Sequence, residues 1–222
     1  MSTRKYKTQI GAIPKVVNNF KPITDNQKLF YNKISDFNNQ LILCHGIAGT
    51  GKTYVSIYKA LQDVLRRGLP YNKLIIINPT VDVGNEDKLG YLPGELQQKI
   101  QQYNESTFTI LNKIIGKARA NKMISDGKVE IGVLNFLRGT NLEDCYVILD
   151  EAQNVSPMQI KTLMTRISEN CKMIIQGDLS QCDKYKANGV VNYEKSGFYD
   201  VWFRLKGIKG VAHHEFTRDD CV

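Results

Sequence analysis

The strongest chemical signal in the sequence is a glycine-rich segment that ends in a lysine and a threonine. Its eight residues are Gly46, Ile47, Ala48, Gly49, Thr50, Gly51, Lys52 and Thr53, and they fit the pattern G-x-x-x-x-G-K-[ST]. The glycines allow backbone angles at which successive N–H groups converge on phosphate oxygens. In this pattern the lysine ammonium pairs with the β- and γ-phosphates, and the threonine hydroxyl binds Mg²⁺. The segment therefore predicts a phosphate loop for ATP, or a closely related nucleoside triphosphate, with Mg²⁺ as the metal ion.

Two adjacent acidic residues, Asp150 and Glu151, directly follow the apolar run at 146–149. A parallel strand that ends in this way presents its last residues to a ligand crevice at the edge of the sheet. We expect Asp150 to hold Mg²⁺ through a water molecule beside Thr53, and Glu151 to orient and deprotonate the attacking water. A second carboxylate at this position favours hydrolysis over binding alone. The alternative for Glu151 is a structural one, in which it only caps the following helix.

The segments around these motifs alternate between two kinds of apolar pattern. Short continuous apolar runs, typical of strands buried on both faces, occur at 41–44, 74–77, 129–134, 146–149 and 172–175. Helical patterns occur at 52–67, 95–103, 108–124 and 157–167, the last with Ser156 as a plausible N-cap. This alternation predicts an α/β fold with a mostly parallel, doubly wound sheet in a single domain.

Positive charge is concentrated at the start of the chain. The formal net charge is +8, and the first 40 positions hold seven Lys or Arg residues against two Asp residues. We expect residues 1–20 to form a basic arm ahead of a domain at 21–222. Such an arm can neutralise the phosphates of a nucleic acid, or it can be a solvated tail that maintains solubility, and charge alone favours neither.

The composition also points to a location and excludes some kinds of site. The longest apolar runs are far too short to span a bilayer, and no apolar stretch follows the basic N-terminus as it would in a signal peptide. A cytoplasmic protein without a membrane partner is the expectation. The five cysteines are odd in number and contain no C-x-x-C pair, so we expect neither a disulfide framework nor a zinc site.

Four further strings, taken with the phosphate loop, resemble those of a known family. They are TDNQ at 24–27, LGYLPG at 89–94, LDEAQN at 149–154 and QGD at 176–178. Over roughly residues 20–222 the sequence resembles the PhoH-like proteins, and LDEAQN and LGYLPG are more specific signals than the phosphate loop. The resemblance implies a RecA-like P-loop NTPase core akin to superfamily-one helicases. The short single-domain form is similar to the versions found in bacteriophages, which would place it in the host cytoplasm.

The resemblance implies roles for individual polar residues. Gln27 lies where helicase-like ATPases use a glutamine to read the hydrogen-bonding edge of adenine, or it is an exposed helix residue. Gln181 follows Gly177 and Asp178 at the position of a glutamine that senses the γ-phosphate, or it caps a strand end. Asn78 stands where the family usually has an arginine before a proline, and this departure weakens the assignment of a nucleic-acid contact there.

Arginines that stabilise the transferring phosphoryl group are a further expectation from the resemblance. Arg138, in a predicted loop, and Arg166, near the end of the helix after Glu151, are the candidates for such an arginine finger. The closing residues at 216–222 resemble the last motif of the family, which normally continues into an arginine. Either that arginine lies in a segment outside this sequence, or Arg218 or another residue takes its place.

Two functions are compatible with these features. The favoured one is an Mg²⁺-dependent ATPase coupled to single-stranded RNA or DNA, as a helicase or remodelling enzyme. One RecA-like core is too small for a monomeric helicase, so this function requires a homo-oligomer, with a hexameric ring as the form implied by the resemblance. Candidates for base stacking are the aromatic residues Tyr91, Tyr185, Tyr193 and Phe198, although any single one is more often packed in the core or under a loop. The alternative is an ATP-driven conformational switch that acts on a protein partner without nucleic acid.

Overall fold

A computed structural model describes residues 10–12, 14, 21–79, 93–132, 141–168, 170–182, 186–187 and 190–222, with the backbone alone at 93–103, 186–187 and 191. The strands are β1 Leu41–His45, β2 Lys73–Ile77, β3 Val129–Gly132, β4 Cys145–Leu149, β5 Lys172–Gly177, β6 Lys186–Ala187, β7 Val190–Val191 and β8 Val211–Glu215. The α-helices are α1 Asp25–Ser35, α2 Lys52–Val64, α3 Pro93–Ile115, α4 Lys117–Ser125, α5 Pro157–Met164 and α6 Gly197–Arg204. Short 3₁₀ turns include Ala152–Asn154, Leu179–Gln181 and Arg218–Asp220.

Six of these strands form one sheet in the order β3-β2-β4-β5-β1-β8, and every described pairing in it is parallel. The predicted α/β fold with a mostly parallel sheet is therefore confirmed. The order also places β5 between β1, which leads into the phosphate loop, and β4, which leads into the acidic pair. Because parallel strands all end at the same edge, the residues after β1, β5 and β4 lie side by side.

Apolar side chains from alternate strand positions form a core on each face of the sheet. One core contains Phe30 of α1, Leu61 of α2 and Leu111 of α3, and the other contains Ile160 of α5 and Phe198 of α6. Helices therefore cover both faces, as the continuous apolar runs of the strands predicted. In the described part of the chain, no helix has the length and apolarity needed to cross a membrane.

The helical region before β3 differs from its sequence-based prediction. The apolar pattern predicts separate helices at 95–103 and 108–124, but α3 runs through that gap without a break and ends at Ile115. The interruption lies instead at Gly116, whose φ of 80° is in the left-handed region. Glycine adopts this angle without steric cost, so it separates α3 from α4. The prediction of the break was wrong because apolar spacing does not reveal where a glycine takes a positive φ.

The last strand of the sheet, β8, packs against both α1 and α6 through two adjacent histidines. The ring of His214 in β8 stacks on Phe30 of α1 at 4.9 Å and contacts the edge of Phe216 at 4.5 Å. On the opposite face of the strand, His213 packs against Trp202 of α6 at 5.0 Å. Both histidines therefore serve packing, and His214 is almost fully buried.

The buried imidazole of His214 predicts that acid destabilises the protein. Burial lowers its pKa to about 4, so the folded protein keeps it neutral at pH values where the unfolded chain, with a His pKa of about 6.5, is already protonated. Stability from this group is complete above the unfolded pKa and falls as the pH drops from about 6.5 towards 4. The thermal unfolding midpoint should therefore fall between pH 7 and pH 5, and by less in His214→Phe. An equal decrease of the unfolding midpoint in wild type and in His214→Phe would show that His214 is not the group responsible.

Candidate functional site

The segment at 46–53 forms a loop that joins β1 to the start of α2. Gly49 and Gly51 have φ angles of 84° and 81°, which a side chain rarely tolerates. Gly46 has a different constraint, since a Cβ there would lie 2.6 Å from the Cβ of Phe216. The loop thus needs glycine at three positions, and the amino end of α2 points its free N–H groups into it, as an anion site requires.

Lys52 is the first residue of α2, and its ammonium lies over the loop. Its Nζ donates to the carbonyl oxygens of Gly46 at 2.6 Å and of Ile47 at 2.7 Å. The hydroxyl of Thr50 donates to the same Ile47 oxygen at 3.0 Å. These bonds hold the positive charge of Lys52 at the place where the loop would bind the phosphates of a nucleotide.

Two predicted metal ligands, Thr53 and Asp150, are in direct contact although they lie on different elements. Thr53 Oγ1 donates to Asp150 Oδ2 at 2.8 Å. The buried amide of Gln176 in β5 donates to Thr53 Oγ1 at 3.0 Å and to Asp150 Oδ1 at 2.9 Å. A hydroxyl and a carboxylate fit Mg²⁺, which uses one or two protein oxygens and completes its shell with phosphate and water.

Glu151 lies beside this pair at the mouth of the site. Its φ of 49° is unusual for a residue with a side chain and indicates a backbone held in place by its surroundings. The residue is exposed, yet its carboxyl group is buried enough to raise its pKa, and the negative charge of Asp150 raises it further. The Glu151 side chain makes no capping hydrogen bond, and Ser156 caps α5 with a capping box, so the capping alternative for Glu151 is wrong.

Gln153 connects the acidic pair to the end of β5. Its Nε2 donates to Glu151 Oε2 at 2.7 Å, and its Oε1 accepts from the backbone N–H of Asp178 at 3.0 Å. A Cβ on Gly177 would collide with this Oε1, so glycine is required for the close approach. Gln153 thus bonds to both Glu151 and Asp178, which precedes the turn Leu179–Gln181, where the predicted γ-phosphate sensor Gln181 is exposed.

Gln27 contacts the phosphate loop from behind. Its Oε1 accepts from the N–H of Ile23 at 2.8 Å, and its Nε2 donates to the carbonyl of Thr50 at 3.1 Å. Only 2% of the residue is exposed, so it is not the exposed helix residue of the alternative view. Both ends of the amide bind backbone groups in this structure, and the reading of adenine by Gln27 stays a prediction.

The arginine candidates lie in different parts of the molecule. Arg166 follows α5, and its carbonyl accepts from Leu142, which precedes β4. It is therefore at the amino edge of the sheet, about 13 Å of strand away from the carboxyl edge that carries Asp150. Arg138 lies outside the described residues. Arg218 is exposed in a turn beside the phosphate loop, where Val222 donates to the carbonyl of Gly49 at 3.1 Å.

The residues predicted to contact nucleic acid are only partly placed. Asn78 does not project freely, because its amide donates to Asn104 at 2.7 Å on α3. Phe198 is fully buried in the core, so of its two alternatives core packing is correct and base stacking is wrong. Tyr193 is 41% exposed, whereas Tyr91 and Tyr185 lie outside the described residues.

A phosphate loop and an acidic pair, on parallel strands separated by one strand, define a P-loop NTPase with a RecA-like core. The family model for "PhoH-like protein" matches residues 19–222, and the chain belongs to this family.

Curated relatives support the same family assignment. The chain is 40% identical over 184 residues to a PhoH-like protein of Bacillus subtilis (strain 168), covering 83% of this chain and 54% of the relative. It is 34% identical over 185 residues to protein PhoH of Escherichia coli (strain K12), covering 82% of this chain and 49% of the relative. The chain thus spans about half the length of these relatives. The solved Hef helicase domain of Pyrococcus furiosus aligns with this chain at a TM-score of 0.48 and 13% identity, over 85% of this chain and 37% of that one.

The bonds of Gln27 to backbone groups predict that it supports the loop for any nucleotide, in competition with the adenine-reading role that the resemblance implies. In Gln27→Leu, the carbonyl of Thr50 and the N–H of Ile23 lose their partners, so binding of ATP and of GTP should weaken alike, by roughly tenfold. Titration with fluorescent analogues of both nucleotides measures this. A loss confined to ATP would contradict the purely supporting role and establish the reading of adenine.

Proposed function

We propose that this protein hydrolyses ATP at the site formed by the loop at 46–53, Asp150 and Glu151. The observation that carries the proposal is the direct bond of 2.8 Å between Thr53 and Asp150, with the Glu151 carboxyl next to it. This arrangement brings the metal-binding hydroxyl, the metal-binding carboxylate and a candidate base to one edge of the sheet. Residues 21–222 would form the ATPase domain and residues 1–20 a basic arm, in a cytoplasmic protein.

The loop and its lysine would bind the triphosphate. Backbone N–H groups and the amino end of α2 face the phosphates, and the Lys52 ammonium exchanges its bonds to the Gly46 and Ile47 carbonyls for phosphate oxygens. Thr53 and Asp150 would hold Mg²⁺, which would neutralise the negative charge that develops on the phosphate oxygens. The protein groups are therefore arranged to position the nucleotide and stabilise charge, which is most of what phosphoryl transfer requires.

Glu151 would take the proton of the attacking water. Partial burial and the neighbouring Asp150 raise its pKa, which makes its carboxylate a stronger base than that of a solvated glutamate. The bond from Gln153 fixes one of its oxygens, leaving the other for the water. Because the base must be ionised, turnover should decline as the pH falls through this raised pKa.

Replacement of Glu151 tests the hydrolytic mechanism. Glu151→Gln keeps the size of the side chain but cannot accept a proton, so steady-state hydrolysis of ATP should fall by about 100-fold or more while nucleotide binding persists. Glu143→Gln is a matched control, since Glu143 is exposed before β4 at the opposite edge of the sheet. Turnover within a few-fold of wild type in Glu151→Gln would refute the assigned base.

We further propose that hydrolysis is coupled to single-stranded RNA or DNA in a homo-oligomer, with a hexameric ring as the favoured form. A polyanionic partner would be attracted by the net charge of +8 and by the basic start of the sequence. Arg166 lies at the edge of the sheet opposite to the site, so as an arginine finger it would act on the nucleotide of a neighbouring copy and not on its own. Arg138 is the other candidate for this role.

Stimulation by single strands tests this coupling. Addition of single-stranded RNA or DNA should raise the rate of ATP hydrolysis several-fold at low salt, and the stimulation should disappear at high salt because phosphate contacts are screened. Turnover that depends on Glu151 but is indifferent to every polynucleotide would instead support the switch that acts on a protein partner. For that alternative, the hydrogen bond that the Asp178 N–H donates to Gln153 would connect hydrolysis to movement of the turn after β5.

A further inference from the structure

Gln176 is a polar residue in the middle of the hydrolytic site to which the sequence motifs assign no role. It lies in β5, in register with Cys44 of β1, and its side chain is completely buried. Since β5 separates β1 from β4, a side chain from this strand can reach the elements on both sides. A buried amide is costly unless it is hydrogen-bonded, so its partners indicate what it does.

All the hydrogen-bonding groups of the amide have partners on the elements that form the metal site. Nε2 donates one hydrogen to Thr53 Oγ1 and the other to Asp150 Oδ1, at 3.0 and 2.9 Å. Oε1 accepts from the hydroxyl of Ser56, one turn further along α2, at 2.7 Å. An ionised carboxylate only accepts hydrogen bonds, so Asp150 fixes which end of the amide is nitrogen, and Ser56 holds the other end.

This bonding pattern fixes the direction of the two metal ligands. The Thr53 hydroxyl donates to Asp150 Oδ2 and accepts from Gln176, which leaves one lone pair on its oxygen for a metal ion. Asp150 Oδ1 accepts from both Gln176 and the N–H of Glu151, so its carboxylate cannot rotate without breaking three bonds. The two metal ligands are therefore oriented before a nucleotide arrives.

We propose that Gln176 is a positioning residue that holds Thr53 and Asp150 in the geometry that binds Mg²⁺ with the nucleotide. This inference rests on the proposed function for the identity of the site. It goes further in stating that the Mg²⁺ affinity depends on Gln176, a residue outside the phosphate loop and the acidic pair. It acts through Thr53 and Asp150 and needs no contact with the nucleotide.

The test is Gln176→Met, which keeps the length and volume of the side chain and removes the amide. The readout is the rise in thermal unfolding midpoint with ADP, first without metal and then across a series of Mg²⁺ concentrations. We expect ADP alone to stabilise variant and wild type alike, while the Mg²⁺ concentration for the half-maximal additional rise increases by about tenfold or more. This binding readout is independent of turnover, so it stands even if the chain does not hydrolyse ATP.

A matched control separates positioning from a general loss of stability. Gln62→Met also removes a buried amide from the core, but Gln62 bonds only to Tyr31 and Tyr58 among the described contacts. It should lower the unfolding midpoint without changing the Mg²⁺ requirement. An unchanged Mg²⁺ requirement in Gln176→Met, or an equal change in both variants, would overturn the proposal.

Ser56→Ala gives a second variant in case Gln176→Met does not fold. It removes only the hydroxyl that holds Oε1 of Gln176, so the Mg²⁺ requirement should rise in the same direction by a smaller factor. A Mg²⁺ requirement equal to that of wild type in a folded Ser56→Ala protein would count against the positioning role.

Discussion

The position of β5 between β1 and β4 is the constraint on which the site depends. It keeps the phosphate loop and the acidic pair one strand apart, and it places the end of a third strand between them. The gap is then closed by side chains: Thr53 reaches Asp150 directly, and Gln176 from β5 bonds to both. The parallel register makes this possible, because all three strands end at the same edge of the sheet.

A second connection runs along the same edge and involves the candidate base. Gln153 joins the Glu151 carboxylate to the backbone of Asp178, and the absence of a side chain on Gly177 allows the approach. Glu151 is held with a positive φ between these contacts, which is the kind of local strain found at functional sites. Glu151 and the turn after β5 are thus joined through one side chain, that of Gln153.

Much of the site could be predicted from sequence because its chemistry is encoded locally. The phosphate loop and the acidic pair are short strings with fixed spacing, and continuous apolar runs indicated a parallel sheet. Gln176 and Gln153 could not be assigned in this way, because their roles depend on strand order and on contacts between distant segments. The amides of Gln27 and Asn78 show the same limit: each occupies a motif position, yet in the folded chain it binds protein groups.

The fold shows a similar division between local and long-range information. Ser156 was predicted as an N-cap because the capping pattern is local, and it caps α5. The break at Gly116, and the elements α6 and β8, were not predicted, since backbone angles and edge-strand pairing depend on the assembled domain. Phe198 likewise has an aromatic ring that could stack on a base, and only its burial in the folded chain assigns it to the core.

A crystal structure with Mg²⁺ and a non-hydrolysable ATP analogue would test the site most directly. The expected result is Mg²⁺ at about 2.0–2.1 Å from Thr53 Oγ1, with Asp150 bound to it directly or through water and Gln176 still bonded to both residues. The triphosphate should lie in the loop at 46–53 with Lys52 on its terminal phosphates. A nucleotide bound elsewhere, or a metal ion that contacts neither Thr53 nor Asp150, would contradict the central claim.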